Sequence, residues 1–287
     1  MEIRNNKDIA ILMGVYNAEK YISEQIESII NQSNSDWTLY IRDDASSDQT
    51  PKLISHFSKI NANIIIISDE DGNLGCNGNY FRLLSLIDSK YYMFCNADDF
   101  WLPNKIDLCL KSMLEAEKSN FKGPIIIHTD LSITDSKLNI LQKSLWLSTN
   151  VNPERFKNKN YIGICNIVAG ATMFFNVDVK TITFPVHSNA PFFDHWMAFK
   201  VLQNGGKIIS IPISTMYYRQ IGTNLAAVLL ESEDTIKHKL IHIKNTFERN
   251  KKEALMLRAI GWGGIIKYLF YKLIIFSSLR IKRRKQI

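Results

Sequence analysis

Two adjacent acids, Asp98 and Asp99, directly follow an apolar aromatic run at residues 91–95. Neighbouring carboxylates repel each other unless a cation or several hydrogen-bond donors satisfy them. Because Mg²⁺ is usually held by one or two carboxylates together with phosphate oxygens, the pair indicates a site for Mg²⁺ or Mn²⁺ and a diphosphate. The alternative is a turn and helix cap before Pro103, which needs only one acid.

A second acidic pair, Asp43 and Asp44, follows the apolar run 37–42 and has the same ambiguity. A carboxylate at the end of a strand could accept hydrogen bonds from the imide N–H of uracil or thymine, or from ribose hydroxyls. An acid here could equally cap a helix that begins near Thr50.

One further acid, Asp194, lies among aromatic residues at a predicted helix start, residues 193–196 (FDHW). It could cap that helix, or it could act as a general base if it faces an acceptor hydroxyl within hydrogen-bonding distance. The neighbouring His195 would point elsewhere on a helix and is interpreted as structural.

The elements that carry these residues alternate between strand and helix over the first 130 residues. Strands are predicted at residues 8–15, 37–42, 64–68, 91–95 and 124–128, and helices at 18–31, 50–59, 80–87 and 103–118. Continuous apolar strands alternating with helices predict an α/β fold, with a mostly parallel sheet covered by helices on both faces. Ligands bind beyond the carboxyl ends of such strands, so the polar clusters that follow the first four strands predict one shared site. These clusters are residues 16–17, 43–44, 71–75 and 96–99.

The remaining chain is predicted to complete one catalytic domain and add a helical appendage. A strand is predicted at residues 169–176, a helix at 193–202 and two short strands at 207–211 and 215–218. We expect a catalytic domain over residues 1–230, with a donor half up to about 130 and an acceptor half from about 131, and a C-terminal helical segment over 231–287. Of the 287 residues, 46% are hydrophobic and 22% charged, which suffices for a large core.

The C-terminal segment combines an apolar run at residues 265–279 with a basic cluster at 280–285. The run is shorter than the roughly 20 apolar residues of a transmembrane helix, and Lys267 and Lys272 interrupt it. An interfacial helix whose basic end meets anionic headgroups is the preferred interpretation, and it argues against nucleic acid as the partner of this +7 chain. The alternative is a helix packed on the catalytic domain with a solvated basic end.

The beginning of the chain and its cysteines indicate a cytoplasmic protein without a zinc or disulfide framework. Residues 1–14 are charged and lack the apolar run of a secretory signal. The four cysteines are scattered and form no CxxC pair, so buried thiols are expected.

Four segments, taken in order and spacing, resemble successive motifs of family 2 glycosyltransferases with the GT-A fold. They are residues 15–22 (VYNAEKYI), 41–48 (IRDDASSD), 73–75 (NLG) and 96–105 (NADDFWLPNK). The resemblance covers residues 8 to about 225 and is greatest to the rhamnosyltransferase-like branch of bacterial O-antigen and capsule assembly. Residues 193–196 resemble the catalytic-aspartate helix of that branch, and residues 218–224 (YRQIGTN) its Arg-Gln motif.

The resemblance implies a role for each matching residue. Asp194 would be the catalytic base, and Asp98 would bind Mg²⁺ or Mn²⁺ with Asp99 beside it. Asp44 would face the base of the nucleoside, and Asn96 would lie near the ribose. The implied donor-binding residues are Tyr16, Asn17, Asp44, Asn73, Gly75, Asn96, Asp98, Arg219 and Gln220.

The implied reaction is transfer of rhamnose or a hexose, with inversion, from a dTDP- or UDP-sugar to a hydroxyl. The acceptor would be a saccharide linked to a polyprenyl diphosphate, and the enzyme a peripheral protein on the cytoplasmic face of the inner membrane. Two positions depart from the family pattern: Asn96 replaces an acid, and Ile221 stands where the branch commonly has His. A catalytically weak or inactive binding member of the fold is therefore one alternative. A nucleotidyltransferase is another, although residues 13–20 lack the Gly-rich basic loop typical of that class.

Overall fold

The computed structural model describes residues 3–4, 7–119, 121–149, 151–190, 192–221 and 250–283, with the backbone alone at 3–4, 155–156 and 276–283. The domain boundary expected near residue 230 and the last residues of the basic cluster lie outside this part of the chain.

Most strands of the described chain belong to one large mixed sheet. Its strand order is β4-β3-β2-β6-β10-β8-β11-β7, with β9 paired to the side of β8, while β1 and β5 form a separate two-stranded sheet. The strands are β1 (Ile3–Arg4), β2 (Ile9–Val15), β3 (Trp37–Asp43), β4 (Ile64–Ile67), β5 (Ile87–Asp88), β6 (Tyr91–Cys95), β7 (Phe100–Trp101), β8 (Ile125–Thr134), β9 (Ile140–Gln142), β10 (Met173–Asn176) and β11 (Lys207–Arg219).

The predicted α/β class with a mostly parallel sheet is confirmed. Strand β2 pairs in parallel with β3 and β6, β3 pairs in parallel with β4, and β8 pairs in parallel with β11. The exception in the middle of the sheet is β10, which runs antiparallel between β6 and β8. Strands β2, β3, β4 and β6, which the polar clusters follow, are therefore parallel to one another.

Helices cover both faces of the sheet, as the continuous apolar strands require. They are α1 (Ile22–Ile30), α2 (Thr50–Ile60), α3 (Gly75–Leu86), α4 (Lys105–Lys118), α5 (Leu145–Ser148), α6 (Lys159–Ile162), α7 (Val177–Thr183), α8 (Phe193–Gln203), α9 (through residues 250–259) and α10 (Ile265–Arg283). Helices α1, α2 and α4 contribute to the core on one face. Helices α3 and α8 contribute to the core on the other face, together with buried residues of the C-terminal segment.

Two elements differ from the sequence prediction in a way that affects the site. Helix α3 begins at Gly75, five residues before the predicted start at Tyr80. Strand β11 is continuous, where two short strands were expected, because shifts in its pairing with β8 after Ile211 and Ser214 let the strand continue past Pro212. The N-terminal turn of α3 therefore enters the region of the strand ends.

The C-terminal helices pack on the part of the chain that carries the large sheet. The Trp262 indole N–H donates to the Lys159 carbonyl of α6 at 3.0 Å, and the side chain of Tyr268 in α10 is fully buried in the core. Among the described residues, no helix is both long enough and apolar enough to span a bilayer.

Candidate active site

The ends of the first parallel strands meet at one edge of the sheet. Val15 at the end of β2 lies opposite Asp43 at the end of β3, and Met13 lies opposite Cys95 at the end of β6. The loops that follow these strands therefore surround a common space, as the sequence predicted.

The loop after β2 is held against the loop after β3 by Asn17. Its backbone N–H donates to Ser46 Oγ at 2.9 Å, and its Oδ1 accepts from the Ser47 backbone N–H at 2.9 Å. Asn17 adopts the left-handed conformation, at φ 47°, which Asn tolerates better than most residues. The adjacent Tyr16 ring is 57% exposed, so it offers an aromatic face at the rim of the site.

The buried Asp44 carboxylate organises the loop that leads into α3. It accepts hydrogen bonds from the backbone N–H groups of Leu74 and Gly75, both at 2.8 Å, and from the Arg42 guanidinium at 2.8 Å. The Asn73 side-chain amide donates to the Asp44 carbonyl at 2.8 Å. Hydrogen bonds therefore connect three predicted donor-site residues, Asp44, Asn73 and Gly75, across two neighbouring loops.

Arg42, which the sequence interpretation did not assign to the site, supports this loop from below. It is almost completely buried, and its N–H groups donate to Asp44, Asp69, Asn79 and the Gly72 carbonyl. Its hydrogen bonds hold the pKa of Asp69 down to about 2. A planar guanidinium can satisfy this many acceptors at fixed positions, whereas a lysine cannot.

At the end of β6, Asn96 lies between the acidic pair and α3. Its Nδ2 donates to Asp99 Oδ2 at 2.9 Å, and its Oδ1 accepts from the Tyr80 hydroxyl at 2.9 Å. One bond uses the amide nitrogen of Asn96 as donor and the other uses its oxygen as acceptor. An ionised acid at position 96 could accept from Tyr80 but could not donate to Asp99, which explains the amide at this position.

The two acids of the pair have different environments. Asp98 is partly exposed, and burial raises the pKa of its carboxyl while the positive charge of Arg219 lowers it. Asp99 is fully buried, and its pKa is raised well above the ordinary value by burial and by the charge of Asp98. Its Oδ1 has no hydrogen-bond partner among the described residues.

A buried cation lies beneath the pair. Lys105 Nζ donates to the Ala171 carbonyl at 2.9 Å and lies 4.7 Å from the centroid of the Trp101 ring. Burial lowers the pKa of this ammonium to about 8, while its charge lowers the pKa of Asp99.

The residues at this edge fit a divalent cation only if the cation also takes oxygens from a ligand. Among the described residues, no group of three or more His, Cys, Asp or Glu side chains is placed to hold a metal. A partly exposed carboxylate, Asp98, beside an unpaired carboxylate oxygen of Asp99 is the donor set expected when phosphate oxygens complete the coordination of Mg²⁺.

Asp194 lies in the first turn of α8 with its carboxylate oriented by two backbone N–H groups. Oδ2 accepts from Gly170 at 3.0 Å and Oδ1 accepts from His195 at 2.6 Å. Burial raises the pKa of Asp194 to about 6, and the backbone donors oppose part of that rise. A carboxylate with this pKa is largely ionised at neutral pH and a better proton acceptor than an ordinary Asp.

His195 is structural, in agreement with the sequence interpretation. Its ring is buried, and Nε2 lies 2.6 Å from the carbonyl oxygen of Ile162 in α6. Burial lowers the pKa of His195, so the neutral ring donates from Nε2 to that carbonyl.

The first turn of α3 brings the donor-side acids and Asp194 to the same place. The pKa of the Cys76 thiol is raised by burial and then by the charges of Asp194, Asp44 and Asp98, so all three carboxylates lie near this turn. One residue on, Asn77 Oδ1 accepts from the Phe193 backbone N–H at 3.0 Å. The residues predicted from four separate motifs are therefore neighbours.

Arg219 and Gln220 lie at the end of β11, close to Asp98 but committed to other contacts. Arg219 is buried, donates to the Ser136 carbonyl at 2.7 Å and to the Glu24 carboxylate, and lies 4.6 Å from the centroid of the Tyr21 ring. The Gln220 backbone N–H donates to Thr134 at 2.8 Å. The resemblance predicts that Arg219 and Gln220 lie near the diphosphate or the acceptor, and the charge of Arg219 does act on Asp98.

Comparison with known proteins identifies relatives of this chain. The family model described as glycosyl transferase family 2 matches residues 10–181. The chain is 31% identical over 125 residues to the UDP-Glc:alpha-D-GlcNAc-diphosphoundecaprenol beta-1,3-glucosyltransferase WfgD of Escherichia coli, covering 44% of this chain and 48% of WfgD. It is 36% identical over 120 residues to the dTDP-rhamnosyl transferase RfbG of Shigella flexneri, covering 40% of this chain and 42% of RfbG. The chain thus spans about half the length of these relatives or less.

Two solved structures share the fold at low identity. Staphylococcus aureus TarS 1–349 in complex with UDP-GlcNAc matches with a TM-score of 0.59 and 14% identity, covering 86% of this chain and 66% of that one. The mannosyltransferase PcManGT from Pyrobaculum calidifontis, in complex with GDP-Man and Mn²⁺, matches with a TM-score of 0.57 and 13% identity, covering 96% and 81%. At these identities the likeness establishes the fold alone.

Proposed function

Because this chain belongs to glycosyl transferase family 2, we propose that it transfers rhamnose or a hexose from a dTDP- or UDP-sugar to a lipid-linked saccharide, with inversion. The single observation that carries the proposal is the position of the α3 N-terminus, where the charges of Asp44, Asp98 and Asp194 all act on Cys76 and Asn77 accepts from the Phe193 backbone N–H at 3.0 Å. That arrangement sets a candidate nucleotide contact, a candidate metal ligand and a candidate base around one cleft.

On the donor side, the exposed Tyr16 ring and the loop anchored by Asp44 would hold the nucleoside. The Asp44 carboxylate has capacity for a further acceptor bond on Oδ2, which among the described residues accepts from the Gly75 backbone N–H at 2.8 Å. Asn96 would lie near the ribose, and Asn17, Asn73 and Gly75 would shape the loops around the nucleotide. A pyrimidine nucleotide is supported by the donors in the names of WfgD and RfbG.

For the diphosphate, we assign Mg²⁺ or Mn²⁺ to Asp98, with Asp99 beside it. Bound there, the cation would supply positive charge against the departing diphosphate. Asn96 and Lys105 would hold the Asp99 carboxylate in place, since the first donates a hydrogen bond to it and the second favours its charged form. Arg219 and Gln220 would lie beside the diphosphate or the acceptor.

On the acceptor side, Asp194 would take the proton from the attacking hydroxyl. Its orientation is fixed by the backbone N–H groups of Gly170 and His195. The carboxylate is therefore already oriented before the acceptor binds. With a pKa of about 6 the group is ionised before attack and basic enough to receive the proton. Inversion follows if attack and departure occur on opposite faces of the sugar.

The acceptor is proposed to be a saccharide on a polyprenyl diphosphate, used at the cytoplasmic face of the inner membrane. The support is the name of WfgD, which acts on a diphosphoundecaprenol-linked sugar. Such a product would belong to surface polysaccharide synthesis, either O-antigen or capsule.

The test uses purified full-length protein with a panel of UDP-, dTDP- and GDP-sugars, with and without Mn²⁺. Nucleoside diphosphate release should require one donor class, an acceptor and the metal. Asp194→Asn should retain donor binding, measured by calorimetry, and lose transfer by at least about a hundredfold. Asp178→Asn, which alters an acid in the first turn of α7, is the matched control and should transfer normally.

Three results would count against parts of this proposal. Full activity in EDTA would remove the metal assignment, and unchanged transfer by Asp194→Asn would remove the base. Donor binding without transfer in the wild type, across the panel of donors and acceptors, would favour a binding protein of the same fold.

A further inference from the structure

Helix α10 presents an unusual outer face. Five large apolar side chains on it are each at least 51% exposed. Their spacing, i, i+1, i+4, i+5 and i+8, puts them on one side of the helix. We call this face the apolar ridge; it consists of Ile265, Ile266, Leu269, Phe270 and Leu273.

The opposite face of α10 is already packed against the enzyme. Tyr268 and Ile275 are buried there, and the Tyr271 ring makes an edge contact with Tyr161 at a centroid distance of 5.7 Å. A surface helix normally has charged or polar residues opposite its packed face. The apolar ridge therefore has no explanation in the packing of α10 on the catalytic domain.

The part of the sequence that carries the apolar ridge has charges of one sign. After Glu253 the sequence contains no Asp or Glu, whereas it contains eight basic residues. These are Arg258, Lys267, Lys272, Arg280, Lys282, Arg283, Arg284 and Lys285.

Two of these basic residues border the apolar ridge directly. Arg258 and Lys267 line a shallow, largely apolar groove together with Ile265, Ile266 and Phe270. Apolar and basic side chains therefore lie side by side in this groove. Such a surface complements a partner with an apolar interior and an anionic surface.

We propose that the apolar ridge inserts into the boundary between headgroups and acyl chains of an anionic lipid bilayer. The side chains of the ridge would enter the apolar layer while basic residues of the C-terminal segment contact lipid phosphates. Lipid binding needs neither donor nor acceptor, so the inference stands independently of the proposed sugar transfer.

The attachment would also orient the proposed active site. Trp262, just before α10, donates to the Lys159 carbonyl at the start of α6. At the end of α6, the Ile162 carbonyl accepts from His195, the neighbour of Asp194. The apolar ridge is thus connected to the proposed base through one short helix, which would hold the cleft at a fixed height above a lipid surface.

The experiment is co-sedimentation of the full-length protein with two kinds of vesicle. One contains phosphatidylcholine alone, and the other contains phosphatidylcholine with about a third phosphatidylglycerol. The wild type should bind the anionic vesicles at least tenfold more tightly than the neutral ones, and binding should weaken as salt is raised.

The test variant is Ile266→Ser/Leu269→Ser/Leu273→Ser, whose three side chains are exposed and so should not be needed for folding. Its partition coefficient on anionic vesicles should fall at least tenfold. The matched control is Ile60→Ser/Leu141→Ser/Leu147→Ser, which removes three exposed apolar side chains elsewhere on the surface and should bind within twofold of the wild type.

Two outcomes would overturn the proposal. The first is equal binding of the test variant and the wild type, or no binding by either. The second is a wild-type dimer that becomes monomeric in the test variant by light scattering, because a second copy would then cover the apolar ridge. Transfer to a water-soluble acceptor by the same variant reports separately on the proposed function.

Discussion

The Asn77 side chain accepts a hydrogen bond from the Phe193 backbone N–H at 3.0 Å, across 116 residues of sequence. This contact satisfies one of the N–H groups that a helix leaves unpaired at its N-terminus, and it joins the first turn of α3, beside the proposed donor site, to the helix of the proposed base. The distance between the two halves of the cleft is therefore set by a side chain that belongs to neither set of predicted site residues.

Replacement of Asn77 with Ala should leave the start of α8 unsupported. Loss of a cap of this kind typically costs about 1 kcal/mol of stability, and the position of Asp194 should become less defined. We expect kcat to fall at least about tenfold, with donor affinity changed less. Asn152→Ala is the control, since it removes a side chain that accepts from the Glu154 backbone N–H at 3.0 Å away from the cleft. Equal kcat values for the two variants would contradict the assigned role.

Arg42 provides a second test, because Arg82 offers a matched comparison at the same acid. Both arginines donate to Asp69, Arg42 at 2.9 and 3.0 Å and Arg82 at 3.2 Å, but only Arg42 is buried. Arg42→Lys should cost about 3–5 kcal/mol in unfolding free energy, since buried carboxylates lose their partners. The donor KM should rise because the loop at Asp44 loosens. Arg82→Lys should cost less than about 1 kcal/mol and leave KM unchanged; urea unfolding and steady-state kinetics measure both.

The hydrophobic pattern predicted the sheet and most helices, and the reason for the main error at α3 is physical. Residues 75–79 (GCNGN) have low helix propensity, so the sequence indicates a loop there. They nevertheless form the first turns of the helix, where Asn77 bonds to Phe193 and Asn79 accepts from Arg42 at 3.2 Å. Tertiary contacts supply what local propensity lacks.

The same limit applies to the candidate site. Sequence motifs pointed to Asp44, Asp98 and Asp194 as candidates, because the sequence pattern alone shows acids at the ends of buried strands and at a helix start. Arg42 and Lys105 were not assigned, although both lie within or beside the quoted motifs. Their importance depends on burial against residues distant in sequence, such as Gly72 and Ala171, and no local spacing reveals it.

Asn96 should determine how strongly the acidic pair depends on a cation. In Asn96→Asp the donor to Asp99 is replaced by a third carboxylate, and a buried carboxylate then loses a hydrogen bond of 2.9 Å. We expect a loss of about 1–3 kcal/mol in EDTA. Mn²⁺ should restore more stability to this variant than to the wild type, because it would neutralise the added charge. The measurement is the melting temperature with EDTA and with MnCl₂, and an equal increase for both proteins would argue against a cation at this position.

The pH dependence of transfer should report the ionisation of Asp194. Burial raises the pKa of this carboxyl to about 6, and only the ionised form can accept a proton from the acceptor hydroxyl. Activity should therefore be maximal above about pH 7 and fall roughly tenfold per pH unit below pH 6. The measurement is kcat/KM between pH 5 and 8 with the metal held at saturation.

Gly170→Ala offers a check on the cause, because a Cβ there would lie 2.5 Å from Phe193 Cζ and displace the N–H that donates to Asp194 Oδ2. Loss of that donor removes an interaction that favours the charged form, so the acid limb of this variant should move to higher pH. An acid limb that stays in place in Gly170→Ala, or that lies near pH 4 in the wild type, would show that Asp194 is not the group whose ionisation limits transfer.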